Sequence, residues 1–176
     1  MLDFRIIIPL FDRFLGNKGL QFEAVVIGGV AMQLLDLTDR VTKDCDVLAP
    51  EIPASLAEAA RQFAVKHELR PDWFNNGPAS LVRDLPEDWR SNTVQLYQGQ
   101  HLVLLSLGRL DLIRSKLFAF MDRGIDLDDL LRISPSLNEL NRVTDWLKER
   151  DGNPDWPAYV DIRLKELREK LHGQSS

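Results

Sequence analysis

The chain has 176 residues, of which 44% are apolar and 28% charged, and its formal net charge is −5. This length can bury one core without disulfides or a structural metal, and the acidic balance argues against a broad nucleic-acid-coating surface, although a local basic patch around a nucleotide or a tRNA end is compatible with it. No apolar run reaches the roughly 18–20 residues that cross a bilayer, the N-terminus lacks the pattern of a signal peptide, and the single cysteine excludes an intramolecular disulfide. We therefore expect a cytoplasmic protein with no membrane segment.

The apolar periodicity predicts alternating helices and strands in the first two thirds of the chain and helices after that. In chain order, helices are predicted over residues 2–15, 30–37, 54–67, 109–121, 126–133, 136–149 and 156–171, and strands over 22–27, 44–49, 93–97 and 102–105. Ser136 and Glu139 form a capping-box pattern at the start of the sixth helix. Residues 69–90 are the least readable, with a loop predicted over 72–78.

This order of elements favours an α/β (α+β) fold, with a small mixed sheet flanked by helices and followed by C-terminal helices. The α/β core is expected over residues 19–106. We expect residues 1–133 to form one domain, and residues 134–173 to form a helical extension that packs on it as part of a single structural unit.

The residues most suited to chemistry lie between Val25 and Leu48. Asp44 and Asp46 are separated by one residue, and side chains two apart in a strand project from the same face, so the two carboxylates are expected to point the same way. Paired carboxylates suit a hard divalent cation such as Mg²⁺ or Mn²⁺, whereas the simpler interpretation is a solvated strand end. Cys45, between them, is expected to be a buried and inert thiol.

A glycine pair, Gly28 and Gly29, separates the first strand from the next helix. Glycine permits positive φ and leaves the backbone bare, so an anionic group can approach the amides here, although a tight turn explains the pair equally well. Arg40 and Lys43 would neutralise a triphosphate or belong to a solvated loop, and Thr42 would bond a phosphate or cap the strand entry.

Farther along, Arg109, Lys116 and Arg123 recur every seven residues and share one helix face. Such a stripe is usually solvated, but Lys116 has apolar neighbours on both sides in sequence. An ammonium that leaves an apolar surface toward the aspartates would be a natural phosphate contact.

Three runs of sequence together resemble the minimal nucleotidyltransferases of the polymerase-β superfamily, over roughly residues 20–133. Gly28-Gly29-Val30-Ala31 followed by Arg40-x-Thr42-x-Asp44-x-Asp46 resembles their glycine-led turn and Asp-x-Asp strand. Asp72-Trp73-Phe74-Asn75 resembles a mid-chain Trp-Leu-Asn element. Asp111-Leu-Ile-x-x-Lys116-Leu-x-Ala119 with Arg123-x-x-Asp126-x-x-Asp129 resembles the helical motif of uncharacterised and toxin-type branches, including abortive-infection (AbiEii-type) proteins.

The resemblance implies a nucleotidyltransferase-like fold and a site that uses Mg²⁺ or Mn²⁺ held by Asp44 and Asp46. It implies catalytic roles for Asp44, Asp46 and Lys116. The nucleotide-binding residues that it implies are Gly28, Gly29, Arg40, Thr42, Lys43, Arg123, Asp126 and Asp129. Asp126 and Asp129 have an alternative role, which is to hold Lys116 or Arg123 in place.

Two features differ from the catalytic members. Val30 stands where they usually carry serine, and it would face the terminal phosphate without bonding to it. The strands predicted over 93–97 and 102–105 contain no acid that would serve as a third carboxylate.

Two hypotheses follow for function. The first is an enzyme that moves a nucleoside monophosphate from an NTP to a hydroxyl of a protein or an RNA such as tRNA. The second is a non-catalytic member that binds nucleotide in the same pocket or uses its helical tail to bind a partner, as in a toxin and its cognate antitoxin.

Overall fold

The computed structural model describes residues 3–173, and within them five strands form one mixed sheet accompanied by seven α-helices. The strands are β1 (Phe22–Ile27), β2 (Cys45–Ala49), β3 (Phe74–Asn75), β4 (Val94–Gln98) and β5 (Leu102–Ser106). The helices are α1 (Phe4–Asn17), α2 (Gly28–Leu34), α3 (Ala54–His67), α4 (Arg109–Arg123), α5 (Leu127–Ile133), α6 (Leu137–Lys148) and α7 (Trp156–Gly173). This architecture confirms the predicted α/β, nucleotidyltransferase-like fold.

Most elements lie where the sequence predicts them, and β1 and α3 have the predicted bounds. Helix α2 begins two residues earlier than expected, at Gly28, and ends at Leu34. Residues 69–90, for which the sequence predicts little beyond a loop, contain β3 and a 3₁₀ turn (Ala79–Arg83), and a second 3₁₀ turn (Trp89–Asn92) begins at their end. Leu2, the first residue of the first predicted helix, lies outside the described residues.

The sheet has the strand order β3-β2-β1-β5-β4. Strand β1 pairs antiparallel with β2 and parallel with β5, while β4 and β5 form the predicted antiparallel pair. In the register of β1 and β2, Ile27 lies opposite Asp46 and Val25 lies opposite Ala49. The end of β1 and the start of β2 are thus neighbours, although 17 residues of chain separate Ile27 from Cys45.

Helices α1 and α3 contribute to one apolar core with β1, β2 and β5. The core takes alternate residues of β1, Ala24 and Val26, because successive side chains of a strand point to opposite faces. Trp73 is completely buried in this core, and its indole Nε1 donates to the Ala60 carbonyl at 3.0 Å. The other face of β1 carries Glu23, Val25 and Ile27.

Two compact units part between Gly108 and Arg109. Within the second unit, α6 packs on α4 and α7, and the Trp156 indole donates to the Leu147 carbonyl at 2.8 Å. The predicted boundary between a domain over 1–133 and an extension over 134–173 stays a prediction. No helix within residues 3–173 combines the length and apolar composition that crossing a bilayer requires.

The predicted capping box at the start of α6 is confirmed. The Glu139 amide donates to Ser136 Oγ at 3.2 Å, and the Ser136 amide donates to Glu139 Oε2 at 2.8 Å. Arg109 Nε also donates to Glu139 Oε1 at 2.6 Å. The hydrogen bond from Arg109, aided by those from Ser136, lowers the pKa of Glu139 from its ordinary 4.5 to about 2.

Candidate functional site

The turn after β1 places two glycines directly against the segment that carries the paired aspartates. Gly28 has φ +72°, a conformation that residues with a side chain rarely adopt. A Cβ on Gly28 would lie 3.0 Å from Oδ2 of Asp46, and a Cβ on Gly29 would lie 2.7 Å from the Thr42 Cβ. Close approach of two chain segments therefore requires glycine at both positions.

Asp44 and Asp46 flank Cys45, and all three side chains have the predicted burial pattern. Cys45 is completely buried in the core, whereas both aspartates are partly exposed. Burial raises the pKa of the Cys45 thiol well above its ordinary value, and the neighbouring charges of Asp46 and Asp44 raise it further. The thiol is therefore inert, as the sequence predicted.

Each aspartate is oriented by a neutral hydrogen-bond donor. Thr42 Oγ1 donates to Asp44 Oδ1 at 3.0 Å, and Asn75 Nδ2 donates to Asp46 Oδ1 at 3.2 Å. Neither donor carries a charge, so these two hydrogen bonds orient the carboxylates without pairing them with a cation.

Asn75 is a residue of this site to which the sequence prediction gave no role. It lies on β3, opposite Asp46 in the parallel pairing with β2, and Gly77 N donates to its Oδ1 at 2.6 Å. That bond engages the oxygen and so turns the Nδ2 group toward Asp46. The match of residues 72–75 to the Trp-Leu-Asn element was the available signal, but the strand pairing could not be deduced from it.

The two predicted triphosphate contacts, Arg40 and Lys43, lie exposed on the segment between α2 and β2. The Arg40 amide donates to Thr38 Oγ1 at 3.1 Å, which fixes the backbone just before Thr42. Both cations are within four residues of Asp44 in sequence, and the structure leaves their side chains accessible to solvent.

The prediction that Val30 faces a phosphate is wrong. Its side chain is 0% exposed and belongs to the apolar core of the first unit. Helix α2 already begins at Gly28, so Val30 lies in its first turn and points toward the sheet. An apolar side chain at this position is therefore explained by packing.

In the second unit, Lys116 is a buried cation held by two acids. Its side chain is 7% exposed, and its Nζ lies 2.5 Å from Asp129 Oδ2 and 3.4 Å from Asp126 Oδ1. Arg123 remains on the surface, with its side chain 61% exposed and Asp122 at 3.9 Å. The sequence left open whether Asp126 and Asp129 hold Lys116 or Arg123, and in the structure they hold Lys116.

A family model described as "Nucleotidyltransferase of unknown function (DUF6036)" matches residues 7–147. The chain belongs to this family. The match includes both the glycine turn with its aspartates and the Lys116 cluster, and it confirms the predicted relation to minimal nucleotidyltransferases. The AbiEii-type branch stays a prediction. No curated protein and no solved structure matches the sequence.

Asp111, another residue of the helical motif, forms a buried ion pair in this member of the nucleotidyltransferase family. Arg114 Nη1 lies 2.6 Å from Asp111 Oδ1, and the Asp111 side chain is only 3% exposed. The sequence prediction gave neither residue a role. In the structure, this pair neutralises an acid that α4 would otherwise bury alone.

Within residues 3–173 of this nucleotidyltransferase-family member, no three His, Cys, Asp or Glu side chains come together in a group that could hold a metal ion. The carboxylates beside the glycine turn are the pair Asp44 and Asp46.

Proposed function

We propose that this chain is a metal-dependent nucleotidyltransferase that moves a nucleoside monophosphate from an NTP to a hydroxyl group of a protein or an RNA such as tRNA. The observation that carries the proposal is the contact of the Gly28–Gly29 turn with Asp46 and with Thr42, which bonds Asp44. A bare stretch of backbone and two carboxylates meet there at one edge of the sheet. Membership of a nucleotidyltransferase family supports the same class of reaction.

The donor set suits Mg²⁺ or Mn²⁺, because both are hard cations that prefer carboxylate oxygens. At Gly28, the space that a Cβ would fill lies beside Asp46 Oδ2, so a side chain at this position would crowd that oxygen. In our proposal Asp44 and Asp46 hold the metal. When bound, the metal would neutralise charge on the phosphates and orient the attacking oxygen.

The protein itself contributes position and charge. Thr42 and Asn75 keep the two carboxylates oriented through the hydrogen bonds described above. We assign to Arg40 and Lys43 the attraction of the triphosphate to this edge, since both lie exposed beside the aspartates in sequence. Gly28 and Gly29 let the turn lie directly against Asp46 and Thr42, which a side chain at either position would prevent.

Lys116 has a phosphate-binding role in the proposal. Within the second unit, Asp129 and Asp126 neutralise its ammonium. The proposal keeps Lys116 as a phosphate contact because an ammonium can take a phosphate oxygen in place of a carboxylate oxygen. Asp126 and Asp129 then orient this lysine, and Arg123, which is exposed nearby in sequence, supplies a further cation.

A second candidate function is nucleotide binding without transfer, or binding of a partner protein such as a cognate antitoxin. The burial of Val30 favours it, because a core valine stands where catalytic relatives usually carry serine. The burial of Lys116 between two acids also suits a purely structural ion pair.

Calorimetric titration of the protein with each NTP, in Mg²⁺, in Mn²⁺ and in chelator, tests the proposal. Asp44→Asn combined with Asp46→Asn should abolish the metal-dependent part of NTP binding and leave the fold intact. The matched control is Asp145→Asn combined with Glu149→Gln, which removes the same charge from two exposed positions of the second unit. Unchanged Mn²⁺ affinity in the Asp44 and Asp46 variant would discard the site.

Transfer of label from NTP to the protein itself, to a protein mixture or to tRNA then separates the two candidates. Metal-dependent transfer that disappears in the Asp44 and Asp46 variant supports the enzyme. Metal-dependent binding without transfer to any of these acceptors supports the second candidate.

A further inference from the structure

A cavity of about 340 Å³ lies on the face of the sheet opposite α1 and α3. Val25, Ala49 and Leu105 form apolar lining, and Glu23, Arg90 and Thr93 add polar groups. Glu23 and Val25 alternate along β1 with core residues, which defines the face. A mostly apolar cavity with a few polar groups, at a volume within the usual range of roughly 300–1,000 Å³, is typical of a small-molecule site.

The cavity continues the candidate site along the same face of the sheet. Val25, in the cavity, lies two residues before Ile27, which is opposite Asp46. Two steps along a strand span about 7 Å, and the four steps from Glu23 to Ile27 span about 13 Å. A nucleotide whose phosphates lie at Asp46 would therefore direct its base along β1 into this cavity.

Arg90 lies at the cavity wall against the ring of Trp89. Its guanidinium carbon lies 4.4 Å from the ring centroid of Trp89, whose side chain is almost fully buried. The Thr93 hydroxyl donates to the Arg90 carbonyl at 3.0 Å and closes the turn that carries both residues. A guanidinium over an aromatic ring keeps its N–H groups available as hydrogen-bond donors.

Glu23 supplies the complementary chemistry from the strand. Its side chain is exposed at the cavity, and within the part of the chain that the structure describes its carboxylate has no hydrogen bond and no ion pair. The cavity thus presents a carboxylate, which only accepts hydrogen bonds, and a guanidinium, which only donates them.

We propose that this cavity binds the base of the nucleotide and selects guanine. This inference rests on the proposed function and names its substrate. Guanine has two adjacent donors, N1–H and the 2-amino group, that match a carboxylate, and two acceptors, O6 and N7, that match a guanidinium. Glu23 accepts from the first pair, Arg90 donates to the second, and the apolar lining covers the ring.

The other bases fit this pair of groups less well. Adenine places an acceptor, N1, beside its amino group, so it would face the Glu23 carboxylate with one donor and one repelled lone pair. Uracil places carbonyl oxygens on both sides of its single N–H. We expect GTP to bind about tenfold or more tightly than ATP or UTP, the effect of losing a charge-assisted hydrogen bond.

Titration with GTP, ITP, ATP and UTP in Mg²⁺ tests this selection. ITP lacks only the 2-amino group, so it should bind about tenfold more weakly than GTP to the unchanged protein. Glu23→Gln should reduce that difference to about twofold or less, because the charged acceptor is gone. Glu149→Gln, which changes an exposed acid of the second unit, should preserve it, and Arg90→Gln should weaken GTP binding where Arg61→Gln does not.

A second measurement uses guanosine, which has no phosphate and so does not depend on Asp44 or Asp46. Guanosine should shift the NMR methyl signals of Val25, Ala49 and Leu105, and uridine should not, in the unchanged protein and in the Asp44→Asn, Asp46→Asn variant. These shifts should be lost in Glu23→Gln. Guanosine binding at the cavity without metal-dependent NTP binding would support this inference while refuting the proposed function.

The opposite results would overturn the inference. Equal metal-dependent affinity for all four NTPs would leave the proposed function standing and refute guanine selection. Guanosine shifts that are absent, that lie elsewhere in the protein, or that uridine reproduces would refute the cavity as the base site.

Discussion

Replacement of Lys116 by methionine removes the ammonium between Asp129 and Asp126 and keeps most of the side-chain volume. The Lys116 and Asp129 side chains are 7% and 6% exposed and lie 2.5 Å apart. Without the ammonium, Asp129 would be a buried carboxylate whose nearest cation has been lost. Removing one partner of a buried ion pair typically costs about 3–5 kcal/mol.

For a chain of this length, each kcal/mol lowers the melting temperature by about 2–4 °C, so we expect a decrease of roughly 6–20 °C. Lys116→Met combined with Asp129→Asn should recover most of the loss, because the unpaired charge is then gone. The matched control is Arg61→Met, which breaks a surface pair with Glu58 in which both side chains are 54% exposed. It should leave the melting temperature nearly unchanged, because exposed ion pairs contribute little to stability.

Urea unfolding and thermal melting measure the effect of Lys116→Met on stability. NTP titration well below the melting temperature measures its effect on nucleotide affinity. If Lys116 contacts a phosphate, Lys116→Met also weakens NTP binding, whereas a purely structural ion pair affects stability alone. A variant with unchanged melting temperature and unchanged NTP affinity would refute both interpretations, since Lys116 would then behave as a solvated lysine.

Three further perturbations test other parts of the structure. Val30→Ser places a hydroxyl in the core, so it should lower the unfolding free energy by about 1–3 kcal/mol in denaturant titration without strengthening NTP binding. Its control, Val65→Ser at an exposed position of α3, should change the unfolding free energy by no more than about 0.5 kcal/mol. Equal effects of the two substitutions would place Val30 outside the core. The folded-state pKa of Glu139 is depressed, so Glu139 stabilises the fold above pH 4.5 and this stabilisation is lost as pH falls toward about 2. Urea unfolding across this range should show that the unfolding free energy falls by about 1 kcal/mol more in the unchanged protein than in Glu139→Gln. Identical pH profiles of the two proteins would contradict this prediction. Gly28→Ala should weaken NTP binding, because its added Cβ would crowd Asp46. The control is Gly19→Ala: Gly19 has a similar positive φ, but no atom lies within 4 Å of an added Cβ, so this variant should only destabilise the fold. Equal NTP affinity in the two variants would refute the argument that close approach at Gly28 matters for binding.

The sequence alone determined the local elements and the family. The apolar run Phe22–Ile27, the amphipathic pattern Ala54–His67 and the capping box at Ser136 each depend on residues within a few positions of one another, and each is present as predicted. The order of the glycine turn, the Asp-x-Asp strand and the helical motif was sufficient to predict the nucleotidyltransferase relation, because such motifs are defined by their order along the chain.

The tertiary structure decided which distant residues meet. Asn75 contacts Asp46 across 29 positions of sequence because β3 pairs parallel to β2, and no periodicity predicts the partner of a two-residue strand. The position of Val30 also depended on the exact residue at which α2 begins. Because α2 already starts at Gly28, Val30 lies within its first turn and packs in the core together with Ala31, whereas the sequence placed Val30 at the start of the helix, facing the pocket.

The partner of Lys116 and the cavity beside Glu23 follow the same physical rule. Sequence spacing placed Lys116 on a helix face with two arginines, but burial of its ammonium became favourable only where Asp129 and Asp126 came close enough to neutralise it. Glu23 belongs to no recognisable sequence motif. It lines a cavity only because the 3₁₀ turn that carries Trp89 and Arg90, more than sixty residues later in the chain, lies against the same part of the sheet. Local patterns are fixed by covalent neighbours, whereas a site made of distant segments exists only after the chain has packed.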